Sequence, residues 1–417
     1  MSSSVITATN QLKKGLGLGL DQYLTFNANQ SHFATQYTKV ADHAKYTLSQ
    51  PFVENIDFGK TVSAELPMYG DFLSAVYIRI RLPELVVPTG STYVAWTQTI
   101  AFAMIESMEI RLGETVIVQQ PGNFMEIMDY LQTPYDQSVA HWKTVGRLDT
   151  VLVAPTNAVK ERDVLIPLNF WFNKKLSQAI PIFALNGDRV KLVMTLRQFQ
   201  DVVIYDGNIL PEQQSIVDAE ILSDFYVVTD EERDTRYSSL SNGTRILNPM
   251  SYLIEQWQTR DFNIQADMAT SKFTLDFTGY VKELVFYVIE EDSEEQNDYF
   301  MFGQRDSARQ GVELITSVSL LLDGKIRYEK LPESYYRLIT PQKYHSYAGN
   351  RNIYVMSFSE TPETARPSAT LDFTAYDKIE MVLDFVPNIP RSRLYVLAVI
   401  FNRLTLTETS IQVEYVR

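Results

Sequence analysis

Short runs in which apolar and polar residues alternate recur along most of the chain. Alternation with a period of two places apolar side chains on one face of a strand, so these runs predict half-buried antiparallel strands. The steps Gly113-Glu114 and Asp323-Gly324 fall between apolar runs and predict tight hairpin turns. The predicted strands include residues 62–66, 75–82, 107–112, 191–196, 273–277, 318–322, 380–385, 394–401 and 411–415.

Helical patterns are few and short. Residues 123–131, which follow Pro121-Gly122, form the clearest predicted helix. Thr229 followed by Glu232 fits a capping box and predicts the start of a short helix. Many short strands separated by turn signals are typical of a β-sandwich or jelly roll, and they argue against an α/β enzyme.

The strand pattern occurs twice, with a polar segment at residues 229–243 between the two series. Residues 71–78 in the first half and 279–286 in the second half each lead into a strand. Residues 109–114 and 319–324 each combine a strand with a tight turn. The same order of features in both halves predicts two copies of one β-unit.

Composition narrows the possible classes of protein. No cysteine occurs among the 417 residues, which excludes disulfides, thiolate metal sites and a cysteine nucleophile. The chain carries 37 basic and 51 acidic residues, a net charge of −14, whereas proteins that wrap nucleic acid need clustered Lys and Arg. Most of the acidity lies in the second half, because residues 1–210 hold 17 basic and 19 acidic residues.

The sequence predicts neither a secretory signal nor a membrane-spanning helix. Its N-terminus lacks the basic and apolar regions of a signal peptide, and no stretch approaches roughly 18 continuous apolar residues. Together with the missing cysteines, this predicts a soluble protein that matures in a reducing compartment. The glycosylation sequons at Asn29 and Asn242 are therefore not expected to be used.

Residues that carry catalytic or metal chemistry are sparse. The four histidines, His32, His43, His141 and His345, show no metal-ligand spacing, which disfavours a cupin-like metal enzyme. Residues 15–20 alternate Gly and Leu without the spacing of a dinucleotide-binding loop, and a flexible N-terminal arm is the preferred interpretation. No P-loop or nucleophile elbow occurs. We therefore predict no catalytic residue, no cofactor and no metal site.

Two further features have a structural and a functional interpretation. The acidic run at residues 290–295 is expected to be a solvated loop, and a divalent-cation site is the less favoured alternative, because the run lacks the spacing of an EF-hand. Phe170, Trp171 and Phe172 are expected to end a core strand at a buried corner. A ligand-stacking surface is the less favoured interpretation of these rings.

A series of short motifs runs in a fixed order from about residue 20 to residue 410. The most specific block is 166–173 followed by 179–185. The other motifs are 21–25, 58–60, 70–73, 229–233, 252–258, 281–284, 344–345, 352–359 and 367–373. In sequence and order these motifs resemble the double jelly-roll major capsid proteins of the nucleocytoplasmic large DNA viruses, which include iridoviruses, phycodnaviruses and marseilleviruses. Ala369 departs from the glycine that the family usually has, and the C-terminal tail lacks the usual Gly-rich ending.

The resemblance implies an all-β fold of two tandem eight-stranded antiparallel jelly rolls with a few short helices in loops. It divides the chain into an N-terminal arm at residues 1–24, a first jelly roll at 25–228, a linker with a short helix at 229–245, and a second jelly roll at 246–417. Loops at residues 88–99 and 349–352 are then candidates for the outer surface.

The implied function is structural. Three chains would form a pseudo-hexagonal capsomer that tiles an icosahedral virion shell over an inner membrane, after assembly in the host cytoplasm. The implied partners are the chain itself as a homotrimer, neighbouring capsomers, minor capsid proteins and, through the N-terminal arm, the inner viral membrane. No direct contact with nucleic acid is expected.

Three alternatives remain open at this stage. A minor capsid or penton-like paralogue belongs to the same structural class, and its copy number in virions would distinguish it. A lectin-like sandwich would use its aromatic residues to bind glycans. An enzyme would require activity that depends on His141 or His345.

Overall fold

The computed structural model describes residues 31–33, 39–147, 158–185, 187–207, 209–239, 245–305, 311–349, 351–364 and 366–414. The chain divides into a unit at residues 1–42 and a unit at residues 43–417. The described part of the first unit contains a turn at residues 32–33 and neither strand nor helix. All that follows concerns the second unit.

The strands are numbered in chain order. They are β1 (His43–Pro51), β2 (Thr61–Glu65), β3 (Phe72–Leu82), β4 (Leu85–Val86), β5 (Val94–Trp96), β6 (Ile105–Leu112), β7 (Thr115–Pro121), β8 (Ala158–Val159), β9 (Arg162–Pro167), β10 (Ile180–Pro181), β11 (Val190–Leu196), β12 (Val203–Tyr205), β13 (Asp218–Val228), β14 (Tyr237–Ser239), β15 (Arg245–Leu247), β16 (Met250–Ile264), β17 (Thr270–Thr274), β18 (Tyr280–Glu290), β19 (Gln304–Arg305), β20 (Gly311–Val312), β21 (Ile315–Leu322), β22 (Lys325–Pro332), β23 (Tyr354–Ser357), β24 (Leu371–Asp372), β25 (Ile379–Phe385), β26 (Ser392–Leu406) and β27 (Ile411–Val413).

Helices are short and lie between strands. The α-helices are α1 (Ile100–Ala103), α2 (Gly122–Gln132), α3 (Tyr135–Val145), α4 (Trp171–Lys174), α5 (Asp230–Asp234), α6 (Glu291–Glu295) and α7 (Thr340–Tyr344). Single helical turns of other types are Leu176–Gln178, Ile182–Ala184, Phe199–Asp201, Tyr335–Ile339 and Phe373–Ala375. The part of the chain that the structure describes has no helix long and apolar enough to cross a membrane.

Strands of the first half form two antiparallel sheets. One has the order β1-β13-β3, with β9 and β10 both paired to β3, and the other has the order β2-β11-β6-β7. Because β9 pairs with residues 77–82 of β3 and β10 pairs with residues 72–73, the two short strands together occupy one position. Each sheet therefore has four strand positions, which makes an eight-position jelly roll.

Strands of the second half repeat this arrangement. One sheet has the order β16-β26-β18, with β23 and β24 paired along β18, and the other has the order β17-β25-β21-β22. Every strand position of the first half has a counterpart at the same place in the second half. The fold is thus two tandem jelly rolls, which confirms the predicted fold class and the two copies of one β-unit.

The predicted hairpins and helices are confirmed where local chemistry is strong. Asp323 and Gly324 have φ angles of 48° and 75°, as expected for a two-residue hairpin turn of type I′. The side chain of Thr229 accepts a hydrogen bond from the backbone N–H of Glu232 and so caps α5. The helix predicted at 123–131 is α2. The alternation at 273–277 buries its apolar side chains as predicted, although strand pairing ends at Thr274.

Residues buried in the two halves form two apolar clusters that share one sheet. Val281, Leu284 and Phe286 of β18 pack into the core of the second half. Val285 and Tyr287 of the same strand pack into the cluster that fills the first half. The sheet β16-β26-β18-β23 is therefore covered on both faces, by its own jelly roll and by the other one. Burial on both faces explains why residues 284–289 of β18 are all apolar or aromatic.

Gly122 begins α2 where the backbone passes close to α1 and β6. A Cβ atom at this position would lie 2.3 Å from the carbonyl oxygen of Phe102 and 2.2 Å from that of Ile105. We expect Gly122→Ala to lower the free energy of unfolding by more than about 2 kcal/mol, because backbone must move to make room. Urea unfolding followed by tryptophan fluorescence measures the change.

A matched control is Gly187→Ala. Unlike Gly122, Gly187 has a positive φ, of 92°, and nothing lies within 4 Å of a Cβ built there. In this variant the free energy of unfolding should fall by only about 1 kcal/mol, which is the cost of a left-handed backbone conformation for alanine. Equal losses of unfolding free energy in the two variants would show that the close approach at Gly122 does not affect stability.

Candidate functional site

The two halves meet along a buried surface, which we call the inter-half interface. The first half contributes β7 and α2, and the second half contributes β16, β18 and residues 345–349 and 351–352. Trp257 of β16 stacks on Phe124 of α2, with ring centroids 3.9 Å apart. Its indole N–H donates to the carbonyl oxygen of Gln119 at 2.8 Å, and the Gln256 amide donates to that of Ile117 at 2.7 Å. Side chains of β16 thus satisfy backbone acceptors of β7, the last strand of its sheet.

A buried ionic cluster lies on α2 at this interface. Glu126 and Asp129 are three residues apart and so share one helix face. Arg147 donates to both carboxylates at 2.6 Å, and all three side chains are almost fully buried. Arg351 of the second half also donates to Glu126, so this cluster joins the two halves. His141 lies 2.7 Å from Asp129 on its outer side.

The charges in this cluster stabilise one another against burial. Burial by itself would raise the pKa of Asp129, but Arg147 and His141 outweigh that effect and lower the pKa. Burial would likewise lower the pKa of Arg147, yet Glu126 and Asp129 raise it instead. Asp129 and Arg147 therefore each favour the charged form, and each of these charges depends on its partners for its stability.

A second ionic cluster crosses the interface at β16. The Glu255 carboxylate accepts hydrogen bonds at 2.6 Å from Lys174 of the first half and from Lys282 of β18. Burial would raise the pKa of Glu255, but the two ammonium groups outweigh it and lower the pKa to about 2. The Lys282 side chain is fully buried, and its ammonium group also donates to the carbonyl oxygen of Pro362.

The third cluster surrounds His345. Its Nε2 lies 3.1 Å from Glu283 and its Nδ1 lies 3.2 Å from Glu363. Burial by itself would lower the pKa of His345, but the charge of Glu283 and the hydrogen bonds to both carboxylates raise it to about 9. The two carboxylates lie on opposite sides of the ring, so they do not converge on a shared metal ion.

In each of these clusters the charged groups pair with one another. Within the described ranges, no group of three or more His, Asp and Glu residues is arranged to hold a metal ion. A cleft of about 780 Å³ lies between β7 and the strands β16, β26 and β27. Its charged residues are Arg403 and Glu414, which pair with each other.

The predicted site residues are spread over the molecule. His43 lies in β1 with its ring 5.6 Å from that of Tyr226, and His32 lies in the exposed turn of the first unit. His141 and His345 each pair with carboxylates in separate clusters. Residues 15–20, Asn29 and Asn242 lie outside the described residues.

The aromatic and acidic runs are partly as predicted. Phe170, Trp171 and Phe172 are buried, so they do not form a ligand-stacking surface. They follow β9 and lead into α4, so the corner is helical. The acidic run at 290–295 was predicted to be a loop, and this was wrong, because it forms the end of β18 and α6. After α6, the Asn297 amide donates to the carbonyl oxygens of Gln200 and Val203 in the first half.

The prediction of an outer loop at 349–352 was wrong. Asn352 is buried and donates to the carbonyl oxygens of Phe302 and Gly311. Gly349 packs so closely that a Cβ would overlap the Tyr130 hydroxyl. The other predicted loop, 88–99, is exposed only in part, because β5 within it is buried. Polar composition suggested exposure, but long-range partners bury these polar groups.

Comparison with known proteins agrees with this architecture. A family model described as major capsid protein N-terminus matches residues 31–230. A second, described as large eukaryotic DNA virus major capsid protein, matches residues 246–402. The major capsid protein of Pyramimonas orientalis virus is 25% identical, covering 88% of this chain and 89% of its own. The major capsid protein of Phaeocystis pouchetii virus is 22% identical, and the match covers 93% of this chain and 95% of that protein.

Solved structures share the fold. The VP54 protein of PBCV-1 superposes with a TM-score of 0.76 at 19% identity, covering 93% of this chain and all of its own. The Faustovirus major capsid protein gives a TM-score of 0.75 at 10% identity, covering 96% and 98%. Models of major capsid proteins match both halves of the chain, and the relatives that match it are structural capsid proteins and not enzymes. The chain belongs to the major capsid proteins of large eukaryotic DNA viruses.

Arg147 offers a direct test of the ionic cluster on α2. We expect Arg147→Met to lower the free energy of unfolding by about 3–5 kcal/mol, because it leaves two buried carboxylates without their main partner. Thermal unfolding monitored by circular dichroism measures the loss.

Arg81→Met is the matched control. Arg81 also pairs with a carboxylate, that of Asp163, but both side chains are well exposed. The unfolding midpoint of this variant should stay close to that of the unchanged protein, since exposed ion pairs contribute little. A small effect of Arg147→Met would contradict the structural role of the cluster.

Proposed function

We propose that this chain forms the shell of an icosahedral virion and that three copies assemble into a pseudo-hexagonal capsomer. The observation that carries the proposal is the character of the inter-half interface. It joins two copies of one unit through different surfaces, so it is a head-to-tail contact. Because the chain has only two copies, each copy keeps one of the two contact surfaces unused.

The two unused surfaces can be identified from the repeat. At the interface, the first half uses β7 and the helix after it, and the second half uses β16. The counterpart of β7 and α2 in the second half is β22 followed by residues 335–344. The counterpart of β16 in the first half is β1. A further copy of the contact would join β22 of one chain to β1 of the next.

Both counterpart surfaces are exposed and carry apolar side chains. Ile326 of β22 is 66% exposed, and Ile339 after it is 53% exposed. Leu338 is exposed beside Ile339, and Tyr46 is exposed on β1. By contrast, α2 is buried along most of its length, and its Phe124 and Glu126 contact residues of the second half. Exposed apolar groups at the matching places indicate surfaces that a partner covers.

Repeating the same contact gives a closed ring when the rotation per copy fits. Three chains supply six similar units, so the ring has a nearly hexagonal outline, and hexagonal units tile a surface. In this proposal residues 25–228 and 246–417 are the two jelly rolls, 229–245 is the linker and 1–24 is the arm. The arm faces minor capsid proteins and the inner membrane, and assembly takes place in the host cytoplasm.

The trimer can be tested by light scattering of the purified protein. The expected mass is three times that of the 47.8 kDa chain. Ile339→Asp places a charge on the proposed contact surface, and we expect it to shift the mass towards one chain, because burying an unpaired carboxylate is costly.

Val86→Asp is the control, since Val86 is an exposed apolar residue, at 67%, on β4, which pairs with β8 and with neither β1 nor β22. It should leave the mass unchanged. A monomeric unchanged protein would contradict the trimer. A trimer that persists in Ile339→Asp would contradict the proposed contact surface alone.

A further inference from the structure

Residues 345–349 and 351–352 of the second half, which we call the strap, cross the inter-half interface. Both of its ends are fixed in the second half, whereas its middle contacts the first half. The strap links the His345 cluster to the ionic cluster on α2, and the capsid role proposed above does not depend on this link.

The middle of the strap docks on α2 and α3. The backbone N–H of Tyr347 donates to the carbonyl oxygen of Leu131 at 3.0 Å. The Tyr347 ring lies edge-on to Tyr130 at 4.9 Å and to Trp142 at 5.7 Å. Arg351 reaches Glu126 and lies over the Tyr130 ring at 4.9 Å. These contacts combine aromatic packing with a buried ion pair.

The two ends of the strap are held differently. At the C-terminal end, the Asn352 amide makes two hydrogen bonds of 3.0 Å to backbone carbonyl groups. At the N-terminal end, His345 is clamped between Glu283 of β18 and Glu363 of the loop after β23. Ser346 adds two hydrogen bonds to Glu363, from its backbone N–H and its hydroxyl. Of these fixing groups, the two carboxylates and the imidazole titrate.

The geometry of the clamp fits a charged ring, since a carboxyl group faces each ring nitrogen. Ionised carboxylates only accept hydrogen bonds, so both ring nitrogens of His345 must donate, and only the imidazolium has two N–H groups. A neutral ring would turn a lone pair towards one carboxylate. Such a contact is repulsive, and burial makes it costly.

Charge balance supports the same conclusion. A β-bulge in β18 follows Val281, and it places Lys282 and Glu283 next to each other in the interior. Through Lys282 and the loop at 362–363, the clusters of Glu255 and His345 are continuous. The acids are Glu255, Glu283 and Glu363, and the cations are Lys174, Lys282 and protonated His345. With a neutral His345, the group would carry one unbalanced buried negative charge.

We propose that protonated His345 acts as a latch that holds the strap on the first half, and that loss of its proton releases the strap. The groups that face the ring are Glu283 from β18 and Glu363 from the loop, with Lys282 beside them. The pKa of His345 is raised to about 9. Its stabilising effect is therefore complete below the ordinary histidine pKa of about 6.5 and is lost as the pH rises through about 9.

Trypsin cleavage after Arg351 reports the state of the strap. In the docked strap the Arg351 side chain is only 15% exposed. At about pH 7.5, His345→Gln should be cleaved there roughly tenfold faster than the unchanged protein, because it cannot donate to both carboxylates. Mass spectrometry of the fragments measures the rate at this bond.

His141→Gln is the matched control. His141 also pairs with a buried carboxylate, Asp129, but it lies on α3 outside the strap. Its cleavage rate after Arg351 should stay within roughly twofold of the unchanged protein. Equal rates for His345→Gln and the unchanged protein would overturn the latch.

The protonation state itself is measured by NMR of ¹³C-labelled histidine in the unchanged protein. The expected signal of His345 is that of an imidazolium up to about pH 8, with a midpoint near pH 9. A midpoint below pH 7 would overturn the proposal.

If His345→Gln does not fold, Glu363→Gln serves instead for assignment and cleavage. It should lower the His345 midpoint and speed cleavage, and an unchanged midpoint and rate would overturn the latch.

Discussion

The sheet β16-β26-β18-β23 is the part of the molecule on which the rest depends, because both of its faces are covered. One face closes the core of the second jelly roll, and the other completes the core of the first. Water is thereby excluded from both sides of β18, and its backbone and side chains have partners in both halves. A two-domain chain built this way is held together by packing between its halves, and so it behaves as one block.

Burial on both faces also sets the chemistry of the interface. Charged groups at such a place are stable only in matched sets, and Arg147, Glu255 and His345 are each the centre of one. Matched charges demand specific positions, whereas apolar contacts tolerate sliding. The apolar sheet therefore provides most of the adhesion between the halves, and the ionic clusters fix their relative orientation. A shell subunit needs both, because small angular errors accumulate over a large lattice.

Sequence patterns predicted the strands because one buried face produces alternation that is visible locally. They also predicted the hairpin at Asp323-Gly324 and the cap at Thr229, whose chemistry is confined to a few residues. The ionic clusters could not be found this way, since Arg351 and Glu126 are 225 positions apart. From sequence alone, a charged residue such as Lys282 is predicted to be exposed unless its buried partner is known. α3 was missed because only Ser138 and Val145 are buried within it, which leaves no apolar stripe.

The inter-half interface has a kinetic consequence for building the ring of six units that we propose. Because both copies belong to one chain, every second joint of the ring forms by folding and needs no encounter between molecules. Three bodies then have to meet instead of six, and half of the joints do not weaken on dilution. Sequence changes can also accumulate separately in each copy, so the joints made by folding and the joints made by association are free to differ in strength.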